Sequence, residues 1–167
     1  VSFHGPNASS DWNPFHVQQF KRMFEQQKRM HFSNLPKGEN ELINSQYFTQ
    51  TITPGNVTGR LIGGNLTVLT ALAGSEYLPD FDGAILFLED IDEAPYRIDR
   101  MLSTLKLMGA LDKIAGFIFG ECTACRPGGG FGWLTMDQIF DDHIKPLNIP
   151  AYRGAMIGHI SKQFIVP

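Results

Sequence analysis

Apolar positions along the chain change character near residue 57. Before it they come singly or at helical spacing. After it they gather into short continuous runs, with periodic stretches between them. In the first part, Val1 to about Ser10 reads as a short strand followed by turn residues. Ser10 or Asp11 then caps a helix whose Phe15, Val17, Phe20, Met23 and Phe24 share one face. Residues 33–41 are polar, with Pro36 and Gly38, and read as a loop. Residues 43–52 alternate weakly, as an edge strand would, and Pro54-Gly55 marks a turn.

The second part predicts a regular succession. Val57 to Ile62 is a strand, Gly63-Gly64-Asn65 a turn, and Leu66 to Ala73 a helix. Ala84 to Leu88 is a buried strand. Pro95 suits the first turn of a helix carrying Ile98, Met101, Leu102, Leu105 and Met108. Ala115 to Phe119 is the next strand. The glycine loop 128–130 follows, then a helix from about Thr135 to Ile144 and a last strand from Pro150 to Ile157. Alternating strands and helices, with strands apolar on both faces, imply an α/β fold built from parallel βαβ units. Such a sheet collects its strands' carboxyl ends on one edge, where ligands sit. Glu89, Glu121 and His159 are the residues at those ends.

Composition narrows the picture. Of 167 residues, 43% are hydrophobic and 19% charged, with net charge −3, as in an ordinary globular domain with a sizeable core. No Lys/Arg run supports a nucleic-acid or anionic-membrane surface. No apolar stretch approaches the roughly 18–20 residues that span a bilayer. The first residues, Val1-Ser2-Phe3-His4-Gly5-Pro6, lack the marks of a signal peptide. The chain opens on Val1 and closes on Ile165-Val166-Pro167, both read as parts of strands, so a piece of a longer protein is expected. Two cysteines, Cys122 and Cys125, suggest a reducing compartment without a disulfide framework.

Five groupings carry possible chemistry. The first is Glu89 with His159: an imidazole can take a nucleophile's proton while a carboxylate fixes its tautomer. The plainer alternative is a turn histidine and a solvated acid. Glu89 and Asp90 compete for the acid role; adjacent residues of an extended segment point to opposite faces, and Glu89 is favoured. The second is Glu121 with Cys122 and Cys125. One C-x-x-C offers too few ligands for a structural zinc site and does not open a helix as a redox motif would. The third, Gly63-Gly64-Asn65-Leu66-Thr67, is a glycine turn before a helix; it could take an anion, but close strand–helix packing is the preferred use. Fourth, Arg97, Asp99 and Arg100 could hold a substrate carboxylate or merely solvate a helix face. Fifth, Trp133 could stack on a ligand or serve as a half-buried anchor. His4, His16, His31 and His143 have no metal-like spacing.

Four segments in order give a family resemblance: residues 60–67 (Arg-Leu-Ile-Gly-Gly-Asn-Leu-Thr), 83–90 (Gly-Ala-Ile-Leu-Phe-Leu-Glu-Asp), 93–102 (Glu-Ala-Pro-Tyr-Arg-Ile-Asp-Arg-Met-Leu), and Gly158-His159. Together they resemble the C-terminal domain of the L,D-carboxypeptidases, serine peptidases of the muramoyl-tetrapeptide carboxypeptidase and microcin-immunity type. Phe3-His4-Gly5-Pro6 is more loosely similar to the end of the family's N-terminal domain. The resemblance implies a compact β/β/α domain and a Ser-Glu-His triad, with Glu89 and His159 at the matching positions. The serine belongs to a Gly-x-Ser-Asp turn upstream; Ser2, Ser9 and Ser10 lack that motif. It further implies three regions: residues 1–10 ending the nucleophile domain, 11–56 linking, and 57–167 forming the catalytic domain. A peptide substrate, a homodimer, a cytoplasmic location and no metal or organic cofactor are implied as well.

Overall fold

The computed structural model describes residues 3–26, 29–34, 48–127 and 132–167. Its centre is a five-stranded mixed sheet: β1 (Gln50–Thr53), β2 (Leu61–Asn65), β3 (Ile85–Ile91), β4 (Gly116–Thr123) and β5 (Ala151–Arg153), in the order β1-β5-β4-β3-β2. β2, β3, β4 and β5 run parallel, and β1 pairs antiparallel with β5 at one edge. Helices α2 (Leu66–Ala71), α3 (Pro95–Leu107) and α4 (Met136–His143) lie between the parallel strands in sequence, and α1 (Pro14–Phe20) precedes the sheet. The α/β class and the parallel βαβ units are as the hydrophobic pattern predicts.

Side-chain alternation on the strands separates two cores. Leu86, Leu88, Phe117 and Phe119 point toward the helices and pack with Leu66, Ile98, Leu102, Leu105, Ile139 and Phe140. Phe87 and Ile118 point the other way and meet Ala155, Met156, Ile157, Phe164 and Val166. α3 is anchored where its period places it: Ile98, Leu102 and Leu105 are fully buried. Each such side chain contributes about 1.5–3 kcal/mol of burial. Pro95 stands at its first turn. Thr135 and Gln138 form a reciprocal capping box that starts α4.

Several boundaries differ from the sequence reading, each for a local reason. The N-terminal strand reduces to one antiparallel bridge, His4 with Val166; Val1 and Ser2 lie outside the described residues. The cap of α1 is Asn13, whose side chain accepts from the His16 N–H, while the Ser10 hydroxyl closes a turn onto the Asn7 carbonyl. The apolar face of α1 is only partly covered: Phe15 packs on Phe164 and Phe20 on Phe3, Trp12 and Phe24, Val17 is exposed, and the helix's buried residues are His16 and Gln19. Gln19 is drawn in because its amide serves the C-terminal segment: it donates to the Gln163 carbonyl and accepts from the Ile165 N–H. Of the strand expected over residues 43–52, residues 43–47 fall outside the described set; so do 35–41 of the expected loop and the glycines 128–130.

Gly63-Gly64-Asn65 is strand rather than turn. β2 begins at Leu61 and runs through both glycines, which have φ +143° and +145°. A Cβ on Gly63 would lie 1.8 Å from the Phe87 carbonyl oxygen, so only glycine lets β2 approach β3 this closely. On the other side of the sheet β5, between β1 and β4, ends at Arg153, well before Ile157. Gly154, at φ +81°, turns the chain out of the sheet, and a Cβ there would meet the Phe48 carbonyl at 2.2 Å. The apolar run 155–157 is therefore not strand; it is apolar because it covers Phe87 in the second core.

Candidate active site

β3 continues past Leu88 through Glu89 and Asp90 to Ile91. Its pairing with β4 shifts register between Leu88 and Asp90, a bulge that leaves Glu89 without a partner residue on that side. By alternation Glu89 faces the same side as Phe87, and Asp90 the side of Leu88 and the helices. Both carboxylates are buried, with exposures of 0% and 1%.

Their surroundings assign them different work. Asp90 is saturated: it accepts from the Asn65 amide (3.0 Å), the Thr67 N–H (3.0 Å), the Thr67 hydroxyl (2.9 Å) and the Ile91 N–H (2.9 Å). It thereby ties β3 to the start of α2. Glu89 instead accepts through Oε2 from His159 Nδ1 at 2.9 Å. Its other oxygen, Oε1, lies 3.4 Å from His4 Nε2, long for a hydrogen bond and better described as an electrostatic contact. Burial pushes the Glu89 carboxyl up. The ring nitrogens of His4 and His159 more than offset this and hold it below its ordinary value.

His159 sits in an irregular loop rather than at a strand end. Gly158 before it has φ +129°, and a Cβ there would press to 3.1 Å on both Glu89 Oε2 and the Glu121 carbonyl. Glycine thus lets the loop close down on the carboxylate. The Ile157 carbonyl accepts from the Glu121 N–H at 2.8 Å, and the His159 carbonyl from the Thr123 hydroxyl at 3.1 Å. The end of β4 therefore holds the loop on both sides of Gly158. With Nδ1–H engaged by Glu89, the bare Nε2 belongs to a side chain 47% exposed, which leaves it available as a base.

The remaining groupings resolve into structural contacts. Glu121 is half-buried and hydrogen-bonds neither Glu89 nor His159 among the described residues. Burial pushes its carboxyl up, and the Arg153 charge opposes this. Cys122 and Cys125 are joined in a disulfide, which corrects the expectation of two free thiols. The turn after β4, with Ala124 at φ +58°, brings their Cα atoms to 5.3 Å, within bridging range. The reducing-compartment expectation rested on free thiols and loses that support. The N-terminus of α2 is filled from within: Asn65 Oδ1 accepts from the Val68 N–H and Asp90 from the Thr67 N–H, so it offers no anion site. Arg97 pairs with Glu93 (3.3 Å), and Asp99 with His143 (2.8 Å). Trp133 lies 5.8 Å from the Tyr96 ring. No group of three or more His, Cys, Asp or Glu among the described residues could hold a metal ion.

Two contributors escape the sequence pattern. Thr123 is invisible because its hydroxyl meets a residue 36 positions away. His4 had a signal, its place in the His-Gly-Pro segment, but nothing there tied it to Glu89. A cleft of about 820 Å³ beside β1 and β5 touches neither Glu89 nor His159, and among the described residues Tyr152 is the only titratable one lining it.

Comparison with known proteins places the fold and the family. Residues 58–167 match the family model described as the LD-carboxypeptidase C-terminal domain. A probable murein peptide carboxypeptidase of Bacillus subtilis is 36% identical over the whole chain, which spans 50% of that protein. The microcin C7 self-immunity protein MccF of Escherichia coli is 46% identical over 68% of the chain, which corresponds to 33% of its own length. The crystal structure of muramoyltetrapeptide carboxypeptidase from Oxalobacter formigenes superposes with a TM-score of 0.72 at 26% identity, covering 99% of this chain and 54% of that one. The chain thus spans between a third and just over half of these relatives' lengths, and it belongs to the LD-carboxypeptidase family through the C-terminal domain that forms most of its length.

Proposed function

We propose that this chain supplies the base and orienting acid of a serine L,D-carboxypeptidase, with His159 as base and Glu89 as acid. The nucleophile is the serine of a Gly-x-Ser-Asp turn in an N-terminal domain, as the family resemblance implies; no such turn occurs in these 167 residues. On this reading residues 1–10 end the nucleophile domain, 11–56 link, and 57–167 form the catalytic domain. The observation that carries it is the 2.9 Å bond from fully buried Glu89 to His159 Nδ1. A buried carboxylate fixes the Nδ1–H tautomer and stabilises the imidazolium formed during reaction.

The steps follow from that tautomer. The serine oxygen attacks the substrate carbonyl as His159 Nε2 takes the hydroxyl proton. The imidazolium then protonates the leaving amine as the carbon–nitrogen bond breaks, leaving an acyl-enzyme. Water, deprotonated by the same Nε2, attacks the ester and releases a free carboxylate and the serine. The substrate class is an amide to a terminal D-amino acid in a cell-wall tetrapeptide. The 46% identity to a microcin self-immunity protein favours a peptidyl-nucleotide amide as the second substrate to assay.

The test uses the two-domain protein, with the upstream segment joined to this chain. His159→Ala is expected to lower kcat/KM on the tetrapeptide by at least about 10³-fold. Glu89→Gln, which leaves the volume but removes the charge and replaces one acceptor oxygen by a donor, should lower kcat with little change in KM. Turnover that survives His159→Ala would overturn the assignment.

A further inference from the structure

The second oxygen of Glu89 is left over by the arrangement above. Glu89 is fully buried, Oε2 is taken by His159, and Oε1 has no hydrogen bond of good geometry. A buried carboxylate oxygen without a donor is costly. The group nearest to supplying one is the His4 imidazole, with Nε2 at 3.4 Å.

His4 is held for that contact from two directions. Its N–H donates to the Val166 carbonyl and its carbonyl accepts from the Val166 N–H, both at 2.8 Å. Its ring stands edge-to-face on Phe87, with centroids 5.9 Å apart at 80°. Phe87 lies two residues before Glu89 on the same face of β3. The ring's other nitrogen, Nδ1, is buried and has no partner among the described residues. A bare acceptor tolerates that position better than an unpaired N–H, so the ring's proton belongs on Nε2, pointing at Oε1. His4 also lies outside residues 58–167, where the family model matches.

We propose that His4 is a positioning residue for the Glu89–His159 pair, a donor that holds Oε1 so that Oε2 stays on His159 Nδ1. The proposal rests on the roles proposed for Glu89 and His159. A carboxylate held by one oxygen can rotate about its terminal torsion; held by both, it keeps His159 in the Nδ1–H tautomer with Nε2 bare. Its catalytic consequence is a higher fraction of the base in the competent form, which acts on kcat rather than on substrate binding.

The experiment separates donation from packing on the 167-residue chain itself. Histidine nitrogens are labelled with ¹⁵N, and the tautomer of each ring is read from two-bond proton–nitrogen couplings. His4→Gln places an amide N–H near the position of Nε2. His4→Phe keeps the ring on Phe87 and removes the donor. The wild-type chain and His4→Gln are expected to hold His159 in the Nδ1–H form, and His4→Phe to shift it toward a mixture with Nε2–H. Retention of the wild-type tautomer in His4→Phe overturns the proposal; so does equal loss in both variants, which would make His4 a packing residue only. Glu89→Leu, which offers His159 no acceptor, is the control: if it leaves the His159 tautomer unchanged, the Glu89–His159 pairing itself fails and the role of His4 falls with it. In the two-domain enzyme His4→Phe should lower kcat about tenfold at constant KM, with His4→Gln near wild type.

Discussion

At the scale of single residues, three buried or half-buried acids meet three environments. Asp90 receives four donors and ties β3 to α2. Glu89 receives a histidine and is held ionised. Glu121 receives burial with only the Arg153 charge against it, so its carboxyl is raised. That last shift has a definite sign. A carboxyl whose folded value lies above its unfolded one gives stability that is fully present below the unfolded value and lost as pH rises through the folded value. At neutral pH the ionised Glu121 therefore opposes folding, and Glu121→Gln is expected to raise the urea midpoint there. Below the ordinary carboxylate range the two proteins should converge, because Glu121 is then protonated folded and unfolded alike. Arg153 keeps its 2.7 Å bond to Asp137 in the variant, so no cation is stranded. Urea titrations at neutral and acidic pH check this, and a variant less stable at neutral pH would show that Glu121 serves Arg153 more than burial penalises it. That only one of Glu89 and Asp90 can face His159 was legible in sequence through strand alternation, and the preference for Glu89 came from its place directly after the apolar run. The sorting of Glu121 was not, since its neighbour Arg153 is 32 positions away on another strand.

At the scale of elements, glycine decides where two strands can run. Gly63 and Gly64 have nearly the same backbone, yet a Cβ would meet the Phe87 carbonyl at 1.8 Å from the first and nothing within 4 Å from the second. Gly64→Ala then carries only the backbone cost, about 1–3 kcal/mol. Gly63→Ala adds a collision with the neighbouring strand and is expected to separate β2 from β3 and abolish cooperative unfolding. Thermal unfolding of the pair measures the difference, and equal melting temperatures would show that β2 is not held to β3 at this point. This is also why the sequence reading stopped the strand too early. Two consecutive glycines are the ordinary signature of a turn, and only the close parallel neighbour makes them strand residues. α3 and α4 were legible because their period and caps are local properties: Pro95 opens one and the Thr135–Gln138 box opens the other. The pattern overextends β5 because residues 155–157 are as apolar as a buried strand, though they are buried as part of the second core instead.

At the scale of the whole molecule, the N-terminal residues and the C-terminal tail meet at the candidate site. The His4–Val166 bridge joins them, Phe164 and Val166 pack in the core that covers Phe87, and His4 reaches Glu89 from the same bridge. No local pattern foretells this, because the contact spans nearly the full sequence. Loop closure over so long a stretch is favourable only when the contacts it brings together offset the chain entropy. The tail is therefore expected to depend on the first six residues more than its own burial suggests. Deleting residues 1–6 removes both backbone bonds to Val166 and the His4 ring from Phe87. Amide exchange of Val166 should accelerate sharply in the shortened chain, while Phe117 and Phe119, buried on the helix side of the sheet, keep their protection. Exchange followed residue by residue reads this directly. If Val166 stayed as protected as in the longer chain, the tail would be held by the Gln19 amide, the Phe164 N–H bond to the Met156 carbonyl and the apolar contacts of Phe164. The N-terminal segment would then contribute only the His4 side chain to the site.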